Sequence, residues 1–185
     1  MIMKKILLLL LMGTSIIALA QKEEVKVTTS SRINFVNPGF DYEFPISKSS
    51  SIDLNVGIGV GGSYKNLTSI EPGYTILLSP FYDMQIRNYY NLKKRAAQNK
   101  NTRYNSANFI GMRFLGRGPA IARSKSFYRT TEVDYAIAPV WGIQRSFNRI
   151  HLLFDVGPYF YFDFKGNSGI VPIIELNIGY NLSKR

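Results

Sequence analysis

The run at residues 150–164, IHLLFDVGPYFYFDF, alternates with a period of two. Ile150, Leu152, Phe154, Val156, Pro158, Phe160, Phe162 and Phe164 fall on one side; His151, Leu153, Asp155, Gly157, Tyr159, Tyr161 and Asp163, mostly polar, tyrosyl or glycine, fall on the other. Successive strand side chains point to opposite faces, so this alternation predicts a β-strand with one continuous apolar face. The pattern recurs at 51–64, where Ile52, Leu54, Val56, Ile58 and Val60 alternate with Asp53, Asn55 and three glycines. It recurs again at 74–92, 131–147 and 170–182, and more weakly at 105–115.

Nearer the start, residues 25–35 carry apolar side chains at odd positions (Val25, Val27, Ile33, Phe35), whereas residues 36–46 carry them at even positions (Val36, Phe40, Tyr42, Phe44, Ile46). The phase slips beside Val36-Asn37-Pro38-Gly39, which is turn-forming chemistry. Either a hairpin reverses there, giving eight strands, or a bulge kinks one long strand and leaves seven; an even count favours the hairpin. Pro80, Pro139, Pro158 and Pro172 lie on the apolar face inside these runs, and each is expected at a bulge or a strand end because it has no ladder donor. Residues 47–50 and 148–149 are tight connections, and 65–71, 116–130 and 165–169 are looser ones. Residues 93–104, KKRAAQNKNTRY, form a long basic connection with room for a turn of helix.

What the apolar face meets decides the class. A soluble up-and-down barrel turns it inward around a greasy ligand, and an outer-membrane barrel turns it outward to lipid. The interleaved face here is Gly, Ser, Asn, Ala and a few charges, with almost no lysine, which suits a crowded interior better than a solvated surface. Tyr42, Tyr64, Tyr74, Tyr90, Trp141 and Tyr180 sit near or toward run ends on the apolar face, as an aromatic girdle requires. The expected fold is therefore all-β: an antiparallel up-and-down transmembrane barrel, most simply of eight strands, with a packed polar interior. An ordinary β-sandwich would need more charge on its outer face.

The first twenty residues change the picture of location. Lys4 and Lys5 precede an apolar stretch, and Ala18-Leu19-Ala20 ends it, which is the layout of a secretory leader cleaved before Gln21. Residues 1–20 are thus expected to be a signal peptide and 21–185 the barrel domain. The absence of cysteine excludes disulfides and a lipid-modified cysteine. The formal charge of +11 suggests nucleic acid only weakly for an exported chain.

Candidate chemistry is sparse. Counting from the 93–104 turn puts Asp83 and Arg113 at similar depth on adjacent strands facing inward, so they are expected to form an ion pair with Glu175 nearby. His151, the single histidine, follows the tight 148–149 turn and reads as an interfacial residue at the periplasmic end. One histidine and no cysteine offer no metal set, no cofactor is expected, and no nucleophile–base pair suggests an enzyme. Arg117, Arg123, Lys125 and Arg129 fall in the 116–130 loop, where they would contact lipopolysaccharide phosphates and carboxylates. Lys93, Lys94, Arg95, Lys100 and Arg103 form a periplasmic basic turn suited to lipid phosphates or an acidic periplasmic partner.

The segment PFYDMQIRNYYNLKKRAAQNKNTRYNSANFIGMRF (80–114), with NPGFDYEF and APVWGIQRSF, resembles small outer-membrane β-barrel proteins of Bacteroidota. The resemblance covers most of the chain after the leader and implies export to the outer membrane through the barrel-assembly machinery. Its motifs are structural and imply no activity. The C-terminus departs from the pattern, running on from Leu182 to Ser183-Lys184-Arg185 instead of ending on an aromatic. The functional expectation is an envelope-stabilising or lipopolysaccharide-interacting barrel; the alternatives are a narrow solute or ion channel and a soluble periplasmic lipophile-binding barrel.

Overall fold

The computed structural model describes residues 24–63, 75–123 and 131–183; the leader, Tyr64, Tyr74, Lys125 and Arg129 lie outside them. Nine antiparallel strands form one sheet: β1 (Ser30–Asn34), β2 (Gly39–Pro45), β3 (Ser50–Ser63), β4 (Thr75–Asn88), β5 (Asn108–Arg117), β6 (Ala122–Arg123), β7 (Asp134–Phe147), β8 (Ile150–Phe162) and β9 (Ser168–Asn181). β6 resumes the path of β5 along β4 after a break, so the sheet has eight positions. It closes on itself because β9 pairs with β1 as well as β8. The phase slip at 36–39 is a true reversal: β1 and β2 form a hairpin with Ile33 opposite Phe40.

The stagger of the ring follows from its register. From Ile33, successive partners Phe40, Val56, Tyr82, Gly116, Tyr135, Phe162 and Ser168 arrive twelve residues away from Tyr180, which pairs with Ile33 directly. With ordinary strand rise and spacing, that stagger in eight strands tilts them by about 45°.

The interleaved polar set faces inward. Arg32, Asp41, Glu43, Asp53, Asp83, Gln85, Arg87, Arg113, Gln144 and Asp155 are buried, while Leu54, Val56, Ile86, Ile110, Ile137, Phe160 and Leu176 on the opposite faces are exposed. A soluble lipophile-binding barrel would require the reverse. Glycine makes room where an aromatic crosses to a neighbouring strand. A Cβ at Gly142 would lie 2.3 Å from the inward Phe109 ring, and one at Gly116 would lie 2.2 Å from the Tyr82 ring.

The strand prolines do not behave as expected. The registers of β7 on β8 and of β8 on β9 stay constant through Pro139, Pro158 and Pro172, with no bulge. Each proline nitrogen instead points where no bond is needed. Pro139 and Pro158 oppose each other, and the β7–β8 pairing skips residues 138–140. Pro80 faces the break between β5 and β6, where its carbonyl accepts from Gly118 N–H. Pro172 shares the side of Ile178, whose carbonyl accepts the last bond from the β1–β2 hairpin, and above that point β9 has no neighbour on this side among the described residues. The cost of a missing donor is thereby avoided without disturbing register.

One end of the ring is stoppered. Residues 24–29 pass beneath it, with Val27 N–H donating to Lys48 O and Thr28 N–H to Asn105 Oδ1. The 89–107 connection folds under the same end and includes the short helix α1 (Leu92–Ala97), which realises the expected helical turn. Val27, Tyr89, Leu92, Ala107 and Phe109 pack together there. Tyr104 and Asn105 both adopt the left-handed backbone (φ 51° and 58°), a conformation uncommon outside glycine. They are held by Gln144 Nε2 donating to Tyr104 O and by the paired Thr28–Asn105 bonds.

Candidate functional site

Three inward arginines organise the interior. Arg32 on β1 gathers the carboxylates of β2 and β3. Its Nη2 lies 2.7 Å from Asp41, 3.1 Å from Glu43 and 2.7 Å from Asp53. Arg87 on β4 reaches Asp53 at 2.8 Å and donates to Gln85 Oε1 and Gln144 Oε1, with its guanidinium over the Phe109 ring. Glu43 is satisfied further by the Tyr89 hydroxyl at 2.6 Å and the Ser51 hydroxyl at 2.7 Å.

The second cluster lies on the other side of Gln85. Arg113 on β5 holds Asp83 with two parallel bonds, Nε to Oδ1 at 2.9 Å and Nη2 to Oδ2 at 2.6 Å. Its Nη1 reaches Asp155 Oδ1 at 3.2 Å and also pairs with Glu175. The structure thus brings Asp83, Arg113 and Glu175 together. Gln85, not Asp83, is the direct register partner of Arg113; Asp83 is its diagonal neighbour, two residues along the same inward face. Gln85 Nε2 donates to Asp155 at 3.4 Å while its Oε1 accepts from Arg87, so one amide joins both clusters.

Sequence reasoning missed Arg32, Arg87, Asp41, Glu43, Asp53 and Asp155. Their inward position was legible, because each sits out of phase with the apolar residues of its own run. What parity cannot give is the lateral register across several strands. Arranged this way, the interior ties all eight ring positions by side-chain bonds, counting Gln144 on β7, Asp155 on β8 and Glu175 on β9. Buried charges of this kind are costly unless fully partnered.

Other expectations are corrected. His151 is not interfacial: it is buried on the inward face of β8, and its Nδ1 has no hydrogen-bond partner. Arg117 is not in an external loop; it is the last residue of β5, half-buried and lining an interior cavity, whereas Arg123 in β6 is exposed. The interior is not polar throughout, since Leu77, Leu115 and Tyr159 are buried toward the end opposite the stopper. In the basic turn, Lys93, Lys94, Lys100 and Arg103 are exposed. Arg95 is instead structural, donating to Ser106 O at 2.8 Å and Asn101 O at 3.0 Å, and the partial burial of its guanidinium lowers its pKa.

Of the aromatics, Tyr42, Tyr90 and Trp141 are exposed on the apolar face, Tyr180 is half-buried, and Trp141 Nε1 donates to the Tyr90 hydroxyl at 3.0 Å. A second aromatic group, Tyr82, Phe114, Tyr135, Phe160, Phe162 and Phe164, makes ring contacts toward the other end. Among the described residues no cluster of His, Asp and Glu has metal-binding geometry. No helix among them is long and apolar enough to cross a membrane, which leaves crossing by strands open. No protein-family model, no curated protein and no solved structure matches the chain.

Proposed function

We propose that the chain is an integral outer-membrane β-barrel whose stoppered interior serves structure and lipid contact, not transport. The observation that carries this reading is the inverted burial pattern: charged and amide side chains are inside, and a belt of Ile, Leu, Val, Met, Pro and aromatic residues is outside. Water is a poor neighbour for such a belt, because soluble proteins rarely expose contiguous apolar patches above a few hundred Å². Lipid removes that penalty, and closure of the sheet removes most of the unpaired edges that hydrocarbon cannot solvate.

In this orientation the stoppered end faces the periplasm. It carries Lys93, Lys94, Lys100 and Arg103 toward inner-leaflet phosphates or an acidic partner. Arg123 is assigned to lipopolysaccharide at the opposite end, while Lys125 and Arg129 lie outside the described residues. His151 lies too deep for chemistry at either surface, so no catalytic role is assigned. A narrow channel would need a continuous polar path, and both the stopper and the arginine clusters stand across it; planar bilayers are expected to stay silent.

The test is a cold SDS gel of fractionated envelopes, boiled against unboiled. The reading predicts recovery in the outer-membrane fraction and a mobility shift on boiling. One unshifted band, free in the periplasm, would overturn it.

A further inference from the structure

Above the β1–β2 hairpin the wall of the ring is interrupted. The last bonds on either side of the hairpin tip are Ile58 N–H to Pro38 O and Phe35 N–H to Ile178 O. Beyond them, residues 59–63 of β3 and 168–177 of β9 have a hydrogen-bonded neighbour on one side only, among the described residues. The outward side chains along this β9 edge are strongly apolar; Ile174 is 71% and Leu176 56% exposed.

Behind the interruption lies a cavity of about 310 Å³. That is near the lower end of the range of small-molecule pockets, roughly 300–1,000 Å³. Phe81, Leu115 and Ile173 supply apolar wall, and Arg117 and Tyr159 supply polar groups. Arg117 is half-buried, yet its guanidinium makes no hydrogen bond or ion pair with any described residue, the side chain of its register partner Asp134 included. The Tyr159 side chain is 1% exposed and its hydroxyl has no hydrogen-bond partner. Glu175 also lines the cavity, but its carboxylate is engaged by Arg113, whose remaining donors are taken by Asp83 and Asp155. Arg117 is therefore the cation left to recognise something else, and from β5 it lines the far wall of the cavity behind the interruption.

We infer that this cavity binds a single-chain amphiphile with an anionic head group, entering laterally from the bilayer between β3 and β9. The inference rests on the membrane reading above. The chain would lie against Phe81, Leu115 and Ile173, and the head group would accept from Arg117 and the Tyr159 hydroxyl. A small soluble anion would leave the apolar walls and the side entrance without purpose. A neutral lipid would leave the half-buried guanidinium of Arg117 without a counter-charge. A carboxylate head (fatty acid) and a phosphate monoester head (a phospholipid fragment) share this chemistry.

The test is equilibrium dialysis of the full-length protein in octyl maltoside against palmitate, hexadecyl phosphate and hexadecyltrimethylammonium. Arg117→Ala and Arg117→Lys are run beside the unaltered chain. At least one anionic probe should bind near one per chain. Arg117→Ala should weaken it by about tenfold or more, since hydrogen bonds to charged groups are worth about 1.5–3 kcal/mol. Arg117→Lys should retain most of the affinity, and the cationic probe should not be held. Tighter palmitate binding identifies a fatty acid as the source, and tighter hexadecyl phosphate a phospholipid fragment. Equal affinity in Arg117→Ala, or equal retention of the cationic probe, overturns the site. The same samples run unboiled on a cold gel separate the two claims. Absent binding with an intact heat shift removes the site alone, and an absent heat shift removes the membrane reading and the lateral route with it.

Discussion

The two halves of the interior solve different problems. Toward the stoppered end every strand has neighbours on both sides, and Arg32 and Arg87 bind carboxylates on two strands, β2 and β3, with almost no exposure. Toward the other end, among the described residues, β3 and β9 each lose a neighbour, the interior side chains turn apolar, and the Arg117 guanidinium has no partner. Arg113 marks the boundary, engaged by three carboxylates yet lining the cavity. The lower half uses its charges to hold strands together; the upper half keeps one charge free and its wall open.

Substitutions can break this comparison. Arg32→Met should have the largest effect, because it leaves Asp41 without a cation and removes one of the partners of Glu43 and Asp53 in a sealed interior; removing one partner of a buried pair costs about 3–5 kcal/mol. The urea midpoint of the heat-modifiable form measures it. Arg113→Met should cost less, about 1–3 kcal/mol, because water entering by the cavity solvates the freed carboxylates. Equal losses for the two arginines would contradict the division into a sealed and an open half. Gln85→Leu should be milder, near 1–2 kcal/mol, removing the one amide between the clusters and leaving Arg87 Nε unpaired. Arg117→Ala should change stability by no more than about 0.5 kcal/mol while still altering binding, as expected for a side chain with no partner to lose.

The smallest effect concerns the β8–β9 turn, outside the strands. Asp163 accepts from Asn167 Nδ2 and from the backbone N–H groups of Asn167 and Lys165, and these bonds lower its pKa from the usual 3.8 to about 2. A depressed carboxyl pKa contributes stability that is complete above the unfolded value and lost as pH falls through the folded one. The amides of Lys165 and Asn167 should therefore keep their exchange protection at pH 5 and lose it progressively between about pH 4 and pH 2. Asp163→Asn should lack the protection at both pH values.

Much of this was legible in the chain because a period of two is strict: one residue of slip exchanges the faces, as at Val36–Gly39, and that slip correctly marks the β1–β2 reversal. The same parity places Asp53, Arg87 and Asp155 inside. Registers that depend on ring stagger were not legible. Asp83 and Arg113 could be brought together because a single connection separates them, whereas Arg32 meets Asp53 only across two hairpins. The prolines misled because their donor is missing toward one neighbour only, and which neighbour depends on hydrogen-bond phase, not composition. Arg117 reads as a loop residue because residues 116–130 are rich in Gly, Ser and charge; in the folded chain Gly116 makes space for the Tyr82 ring. The short β1–β2 hairpin, and so the interrupted wall, follows from the turn at 35–38, but its consequence appears only beside the full length of β9.

The central claim is that the apolar face meets hydrocarbon and the polar face meets the interior. With no native cysteine, a single cysteine at Met84 or Ile86 can carry a nitroxide label in the protein reconstituted in bilayers. Electron paramagnetic resonance power saturation then compares relaxation by oxygen, which concentrates in lipid, with relaxation by a water-soluble nickel chelate. The account predicts high oxygen and low nickel accessibility at both positions. Nickel accessibility like that of a label on exposed Lys93 would put this face in water and contradict it.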